Sequence, residues 1–364
     1  MELFFDQIQL HEALQKVQKA IPIRTPMTIL KGVCLELKGD LLSLSATDLE
    51  LGIQTVTGVN GIRDGSIILP ERFIDIVRHL PPGQVHLLCD GDGATIQFED
   101  ITFRLNGFPA EEFPLFPQKG EGEDLVLPGF LLKNMLRKTL LTVSTDQSKP
   151  SFTGVNFLIK DNVLQLTSSD TFRLSLMREK IKDLEAKSRD VIIPAKALRE
   201  LIRIVRDDEP VTLNFLKGMA IFSSGETVVT TSLLAGVYPN VSRVIPQDAF
   251  TTVRINKNLW EMALGRAALP ADADIHTINL KIADSKINIQ SQSSLGNNEE
   301  TLPLKTFEGE EFTIIMNIKF LQDVIKVLPD SEIIMRFKGS EGPCVVESPS
   351  DPEYLYLALP VKPD

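Results

Sequence analysis

One pattern occurs three times along the chain at nearly constant spacing, and it constrains the fold more than any other feature. Each time, a short aliphatic or β-branched run leads into an amphipathic helix. Pro70 and Pro194, which stand at the same point of the first two copies, are 124 residues apart, and Asn317 follows 123 residues after Pro194. Three units of about 122 residues account for the whole chain of 364 residues. A period of this length predicts domains with their own cores.

Other short motifs recur at the same spacing along the chain. Gly32 in LKGVCLEL matches Gly154 in FTGVNFLI, 122 residues later. Asp48 in LLSLSATD matches Asp170 in VLQLTSSD, again 122 residues later, and Ser293 follows after 123 more. Since independent landmarks share one period, we expect three domains. Their expected bounds, placed in the polar, turn-rich segments 119–124 and 246–250, are 1–120, 121–247 and 248–364.

Within each unit the pattern predicts two helices and many strands. Alternating or β-branched runs between Gly, Asp and Asn turns indicate strands in the long gaps between the helices. This arrangement favours an α+β fold with antiparallel sheets over a series of βαβ units. The six expected helices span 8–20, 71–79, 129–142, 195–206, 257–267 and 318–328.

Positive charge is concentrated on these helices. The chain carries a net charge of −11, yet the six helical segments sum to +9, which leaves −20 for the rest. In the fourth helix Lys196, Arg199 and Arg203 recur on one face, where only Glu200 opposes them. A solvated surface helix is the alternative interpretation of any one such segment. Basic helices recur in every unit, however, and together they predict a basic surface. Such a surface is typical of proteins that bind DNA phosphates without reading bases.

The sequence gives no sign of a reaction or of a cofactor. It contains no GxxxxGK[ST] or GxGxxG loop, and its four histidines are isolated. Asp90-Gly91-Asp92-Gly93 weakly resembles a calcium loop, but a hairpin turn is the better interpretation because the later ligands are missing. A repeated α+β enzyme with an unrecognised site stays the alternative, and a scaffold that binds only proteins leaves the basic helices unexplained.

Several features favour a cytoplasmic protein. Three scattered cysteines (Cys34, Cys89 and Cys344) fit a reducing compartment and no disulfide framework. No apolar run approaches the roughly 20 residues of a membrane span. The first residues carry acids where a signal peptide has basic residues, so we expect no secretion and no membrane partner.

Taken together, motifs from all three units make the chain resemble the bacterial DNA polymerase III beta subunit family of sliding clamps. The motifs follow one another in the order and at the spacing of that family. They are ATDLELGI (46–53), ILPERFIDIVRHLP (68–81), GFPAEEFPLFP (107–117), SSDTFRLSL (168–176), IIPAKALREL (192–201), YPNVSRVIP (238–246) and YLALPVK (356–362).

The resemblance implies three repeated clamp domains, each with two inner helices and outer antiparallel sheets. They would form a crescent that dimerises head to tail into a ring around double-stranded DNA. It implies a processivity factor, with no catalytic residue, metal or cofactor, that serves the replicative polymerase alpha subunit, the clamp loader, other polymerases and repair proteins. The candidates for facing DNA are Arg24, Lys133, Arg137, Lys138, Lys149, Lys196, Arg199 and Arg203.

The resemblance also implies a pocket between the second and third domains for short clamp-binding peptides with Gln, Leu and Phe anchors. Phe172 stands where the family often has histidine, so peptide preference is expected to differ, and the tail adds an acid at Pro363-Asp364. Ring closure is expected to bring Phe103 and Leu105 of one subunit opposite Ala268 and Leu269 of the next. The pocket candidates are Phe152, Ser169, Thr171, Phe172, Arg173, Leu174, Pro239, Arg243, Val244, Leu357, Leu359, Pro360 and Val361.

Overall fold

The threefold repeat of the sequence recurs in the order of the structural elements, which were obtained from a computed structural model. The structure describes residues 1–117, 125–181, 188–246, 248, 251–271, 276–294 and 296–362. The expected domain boundaries at 120/121 and 247/248 fall on or beside residues outside this set, and Pro363-Asp364 lies outside it as well.

Each repeat has a strand, a helix, a run of strands, a second helix and three further strands. The helices are α1 (Gln7–Val17), α2 (Arg72–His79), α3 (Gly129–Thr139), α4 (Ala195–Ile204), α5 (Lys257–Ala267) and α6 (Ile318–Ile325). The first repeat contains strands β1 (Glu2–Asp6), β2 (Gly32–Lys38), β3 (Leu41–Thr47), β4 (Leu51–Gly58), β5 (Asn60–Arg63), β6 (Gly65–Pro70), β7 (Gln84–Asp90), β8 (Gly93–Phe98) and β9 (Ile101–Asn106).

The other two repeats follow the same plan. The middle repeat contains β10 (Leu125–Pro128), β11 (Gly154–Lys160), β12 (Val163–Ser169), β13 (Arg173–Lys180), β14 (Arg189–Pro194), β15 (Pro210–Leu216), β16 (Met219–Ser224) and β17 (Thr227–Ser232). The third contains β18 (Thr251–Asn256), β19 (Thr277–Ala283), β20 (Lys286–Ser293), β21 (Gly296–Pro303), β22 (Thr306–Gly309), β23 (Phe312–Asn317), β24 (Glu332–Phe337), β25 (Cys344–Ser348) and β26 (Asp351–Ala358).

Local chemistry explains where the helices begin. Asp6, Asn256 and Asn317 are N-caps whose side-chain oxygens accept hydrogen bonds from backbone N–H groups of the first turns of α1, α5 and α6. Pro194 ends β14 and α4 begins at the next residue, so the proline precedes the helix where its missing N–H costs nothing. The six predicted helices and the α+β fold with antiparallel sheets are confirmed.

The chain divides into two compact units, and the division runs through the middle repeat. Unit 1 comprises Met1–Lys133 and Lys196–Leu233, and unit 2 comprises Asn134–Ala195 and Leu234–Asp364. The compact units therefore do not coincide with the sequence repeats.

Unit 1 contains two sheets, and one of them joins two repeats. The five-stranded sheet has the order β5-β1-β7-β8-β9, and the eight-stranded sheet has the order β10-β15-β16-β17-β4-β3-β2-β6. β4 of the first repeat pairs antiparallel with β17 of the middle repeat, with Thr55 opposite Thr227. α1 packs against α2 and β4, and Leu10, Leu14 and Phe73 are fully buried. The hairpin β7–β8 turns at Asp90–Gly93, which confirms the hairpin interpretation.

Unit 2 repeats this joint between the middle and third repeats. Its nine-stranded sheet has the order β14-β11-β12-β13-β26-β25-β24-β18-β22, and its four-stranded sheet has the order β21-β20-β19-β23. β13 pairs antiparallel with β26, with Leu174 opposite Leu357. Phe157 and Trp260 are fully buried in this unit. Among the described residues, no helix combines the length and the apolar character needed to cross a membrane.

Candidate functional site

A largely apolar cavity of about 210 Å³ lies in unit 2 at one end of the β13–β26 joint. Its walls come from the end of β12, the start of β13, the segment after Tyr238 and the end of β26. Phe152 lies beside it with its ring edge-on to Tyr238, at 5.7 Å between centroids. The described residues that line it are Phe152, Ser169, Thr171, Phe172, Arg173, Leu174, Pro239, Asn240, Val241, Val244, Leu357 and Leu359.

A tight turn between β12 and β13 supplies five of these residues. Ser169 Oγ donates to the Arg173 carbonyl at 2.8 Å and accepts from the Thr171 N–H at 3.0 Å. Asp170 Oδ1 accepts from the N–H groups of Phe172 and Arg173, at 3.0 and 2.9 Å. These bonds hold Thr171 at φ 78°, a conformation that β-branched residues rarely adopt. The turn thereby presents the Phe172 side chain, which is 62% exposed, at the mouth of the cavity.

Arg173 leaves the turn towards α6. Its Nε donates to Asp170 Oδ2 and its Nη1 donates to Asp323 Oδ2, both at 2.8 Å. Its guanidinium lies 4.5 Å from the centroid of the Phe320 ring. Burial disfavours the charged form, but Tyr356, Asp323 and Asp170 together outweigh it and raise the pKa of Arg173. The guanidinium is thus charged and neutralised by two carboxylates.

Not every residue that the sequence resemblance assigns to the peptide pocket lines this cavity. Arg243, Pro360 and Val361 lie outside its lining, and the Val361 N–H donates instead to the Ile315 carbonyl at 2.9 Å. Asn240 and Val241 line the cavity but were missed, although both stand inside the YPNVSRVIP motif. Their positions depend on the loop conformation, which the motif alone does not give.

Six of the eight basic candidates are on the surface: Arg24, Arg137, Lys149, Lys196, Arg199 and Arg203. Lys196 is paired with Asp48, and Arg203 with Glu200. Arg203 also lines a surface cavity of about 550 Å³ with Lys16, in the last turn of α1, and Lys19, two residues beyond its end. Neither lysine is among the candidates from the sequence. The sequence predicts that the helix carrying them is basic, but only the structure shows that they and Arg203 of α4 line the same cavity.

Lys138 corrects an expectation. Its side chain is only 3% exposed, where it is paired with Asp351 and lies 5.3 Å from the centroid of the Tyr354 ring. The expectation that it faces DNA is therefore wrong: a buried amino group needs a carboxylate partner, and this one has it. Lys133 is 12% exposed and bonded to Asp207 at 2.6 Å, so it too is poorly placed for a phosphate.

Comparison with known proteins covers all three repeats. The family descriptions DNA polymerase III beta subunit, N-terminal, central and C-terminal domain match residues 1–117, 126–240 and 242–362. The chain belongs to the DNA polymerase III beta subunit family. The function of this family, that of a DNA polymerase sliding clamp, is therefore the function of this chain.

Relatives of the beta subunit family match along their whole length. The Beta sliding clamp of Bacillus subtilis is 32% identical over 377 aligned residues and all of both chains is covered. That of Staphylococcus aureus is 31% identical over 362 residues, with 96% of each chain covered. The crystal structure of the DNA polymerase sliding clamp from Bacillus subtilis matches with a TM-score of 0.96 at 31% identity, covering both chains fully.

Two strands of this beta-subunit fold lie at sheet edges and carry or adjoin the residues expected at the dimer interface. β9 ends the five-stranded sheet of unit 1, and its Phe103 side chain is 39% exposed. Leu105, two residues on, is half-buried. β21 ends the four-stranded sheet of unit 2, where α5 packs on it. Ala268 and Leu269 directly follow α5, and Leu269 is 81% exposed.

Proposed function

We propose that this clamp works as a homodimeric ring that encircles double-stranded DNA and holds the replicative polymerase on it. The observation that supports the ring best is a strand joint that occurs twice within the chain. In each joint, the fourth strand of one repeat pairs antiparallel with the last strand of the next repeat: β4 with β17, and β13 with β26. The same rule applied once more requires β21, the fourth strand of the last repeat, to pair with a β9.

β21 and β9 are both at sheet edges, so each has a row of backbone groups available for another strand. When β21 of one subunit pairs with β9 of the partner, and the reverse, two copies close head to tail and neither β9 nor β21 remains unpaired at an edge. The β4–β17 and β13–β26 joints also supply the register. Ile53 of β4 lies opposite Val229 of β17. The residue of β21 that corresponds to Ile53 is Asn298, and the residue of β9 that corresponds to Val229 is Phe103. We therefore expect Phe103 to lie opposite Asn298.

Paired cysteines test this register directly. We expect the variant Phe103→Cys with Asn298→Cys to form a covalently closed dimer on oxidation, because the two β-carbons would lie on one face of the joint. The native cysteines contribute little background, since Cys89 and Cys344 are buried and Cys34 is largely so. Cysteines at Thr102 and Asn298, one residue out of register, are the matched control. Equal cross-linking of both variants would contradict the register.

The basic surface supports non-specific DNA binding. We assign the contact with phosphates to cations at the surface. The exposed Lys19 and the half-buried Lys16 join that set, while Lys133 and Lys138 leave it. Such contacts are individually weak and strongly dependent on salt, which permits sliding. The DNA-facing set proposed for this chain is Lys16, Lys19, Arg24, Arg137, Lys149, Lys196, Arg199 and Arg203.

The apolar cavity of unit 2 is proposed as the site for clamp-binding peptides of the polymerase alpha subunit, the clamp loader, other polymerases and repair proteins. Its support is an apolar lining with few polar groups, which suits Leu and Phe side chains. We further propose that the chain is not an enzyme, that it acts in the cytoplasm, and that its domains are 1–120, 121–247 and 248–364.

A further inference from the structure

The turn that carries Phe172 and Leu174 has a counterpart in unit 1, and the comparison isolates what Arg173 does. There Thr47 Oγ1 donates to the Leu51 carbonyl and accepts from the Leu49 N–H, both at 3.0 Å. Asp48 Oδ1 accepts from the N–H groups of Glu50 and Leu51, at 2.9 and 2.7 Å. Leu49 has φ 78°, the same value as Thr171.

The unit 1 turn therefore forms with leucine in the position of the arginine. The hydrogen bonds of the serine or threonine and of the aspartate are sufficient for the backbone conformation. The role of Arg173 in unit 2 must lie elsewhere, in contacts that the unit 1 turn does not make. Apart from the bond of its Nε to Asp170 Oδ2 within the turn, those contacts are to Asp323 and Phe320, both on α6.

α6 is itself fixed to the other wall of the cavity. Tyr356 on β26 donates through its hydroxyl to the Phe320 carbonyl at 2.8 Å. β26 continues into Leu359, whose N–H donates to the Phe172 carbonyl at 2.8 Å. Arg173 thus closes a loop of contacts from the turn, through α6 and β26, and back to the turn. Such a closed set of contacts limits how far the two walls can move apart.

We propose that Asp323 is a positioning residue of the peptide site, which acts through Arg173 to set the distance between the turn and the end of β26. This inference rests on the proposed peptide-binding function. Among the described residues that line the cavity Asp323 does not occur, so its effect on a peptide seated there is exerted through Arg173. Because two carboxylates neutralise the guanidinium, Arg173 offers the peptide no free positive charge, and the site selects apolar side chains over acidic ones.

The test measures binding of a fluorescein-labelled peptide containing Gln-Leu-Ala-Leu-Phe to the full-length protein by fluorescence anisotropy. We expect Asp323→Asn to weaken binding about tenfold, the order of one lost charge-assisted hydrogen bond. Asp323→Glu is expected to restore most of the affinity. Lys326→Ala, which removes the other partner of Asp323 at 3.6 Å, is the matched control and is expected to bind as the wild type does.

A double-mutant cycle separates positioning from a general loss of structure. If Asp323 acts through Arg173, then Arg173→Gln with Asp323→Asn binds no more weakly than Arg173→Gln alone. Thermal unfolding is measured on the same variants, because a merely structural role lowers the unfolding temperature and leaves the affinity of the folded protein unchanged. Additive losses, or wild-type affinity in Asp323→Asn, would overturn the proposal.

Leu174→Asp distinguishes failure of this inference from failure of the proposed function. If Leu174→Asp abolishes binding while Asp323→Asn binds normally, the peptide site stands and the positioning role is wrong. If the wild type and Leu174→Asp bind the peptide equally, the peptide site itself is wrong, and the positioning role is overturned with it.

Discussion

Lys138 on α3 and Asp351 on β26 form an ion pair whose two side chains are 3% and 15% exposed, which ties the middle repeat to the third inside unit 2. The pair stands beside the β13–β26 joint, where Met177 lies opposite Tyr354. A charge in such a position destabilises the protein if its partner is removed, so this ion pair helps to hold the β13–β26 joint together.

Removing one member of this pair is expected to destabilise the protein. Lys138→Ala leaves the Asp351 carboxylate buried without its partner, and we expect a loss of about 3–5 kcal/mol in the free energy of unfolding. Lys138→Met with Asp351→Leu is expected to recover most of that loss. Urea unfolding at one fixed protein concentration measures both. Unchanged stability together with weakened DNA retention in Lys138→Ala would restore Lys138 to the DNA-facing set.

Neutralising exposed helix cations is expected to lower DNA retention without loss of stability. Changing Arg137, Arg199 and Arg203 to Gln removes three phosphate contacts, and the slope of log affinity against log salt is expected to fall by about 1 for each. Lys160→Gln, an exposed lysine at the end of β11, is the matched control. An unchanged slope in the triple variant would remove these helices from the DNA interface.

Deleting residues 359–364 is expected to abolish peptide binding while the ring persists. Leu359 lines the cavity and its N–H bonds to the turn, so the deletion removes one wall. Peptide anisotropy measures the first effect and sedimentation velocity the second. Phe172→Ala, at an exposed position, is expected to weaken binding about tenfold with no change in fold. Retained peptide affinity in the deletion variant would place the site elsewhere.

The cysteine thiols are expected to react slowly in the native protein. Burial, with Glu36 and Glu111 nearby, raises the pKa of Cys34 to about 12, and burial raises that of Cys89 to about 11. At about pH 8 the thiolate fraction of Cys34 is therefore on the order of one in ten thousand. Labelling with an aromatic disulfide reagent should become faster as the pH rises, and all three thiols should react in denaturant. Rapid native labelling of Cys34 at about pH 8 would contradict this environment.

Much of the fold could be predicted because its signals are local. Helix periodicity, the residues at helix starts and a repeat near 122 residues are all present in short stretches of sequence. Lys138 and Arg173 were different, since their partners Asp351 and Asp323 lie 213 and 150 residues away. In a basic helical pattern a buried lysine cannot be distinguished from an exposed one. The cavity residues Asn240 and Val241 were missed for a related reason, because their side-chain placement depends on the path of a loop.

A clamp that holds DNA by encircling it depends on the topology of that DNA, which tests encirclement more directly than affinity does. The protein would be loaded onto nicked circular DNA by its clamp loader, and the fraction that co-elutes with DNA in gel filtration would be measured before and after linearisation. We predict retention on the circle and loss through the free ends once the DNA is cut. Equal retention on circular and linear DNA would contradict encirclement.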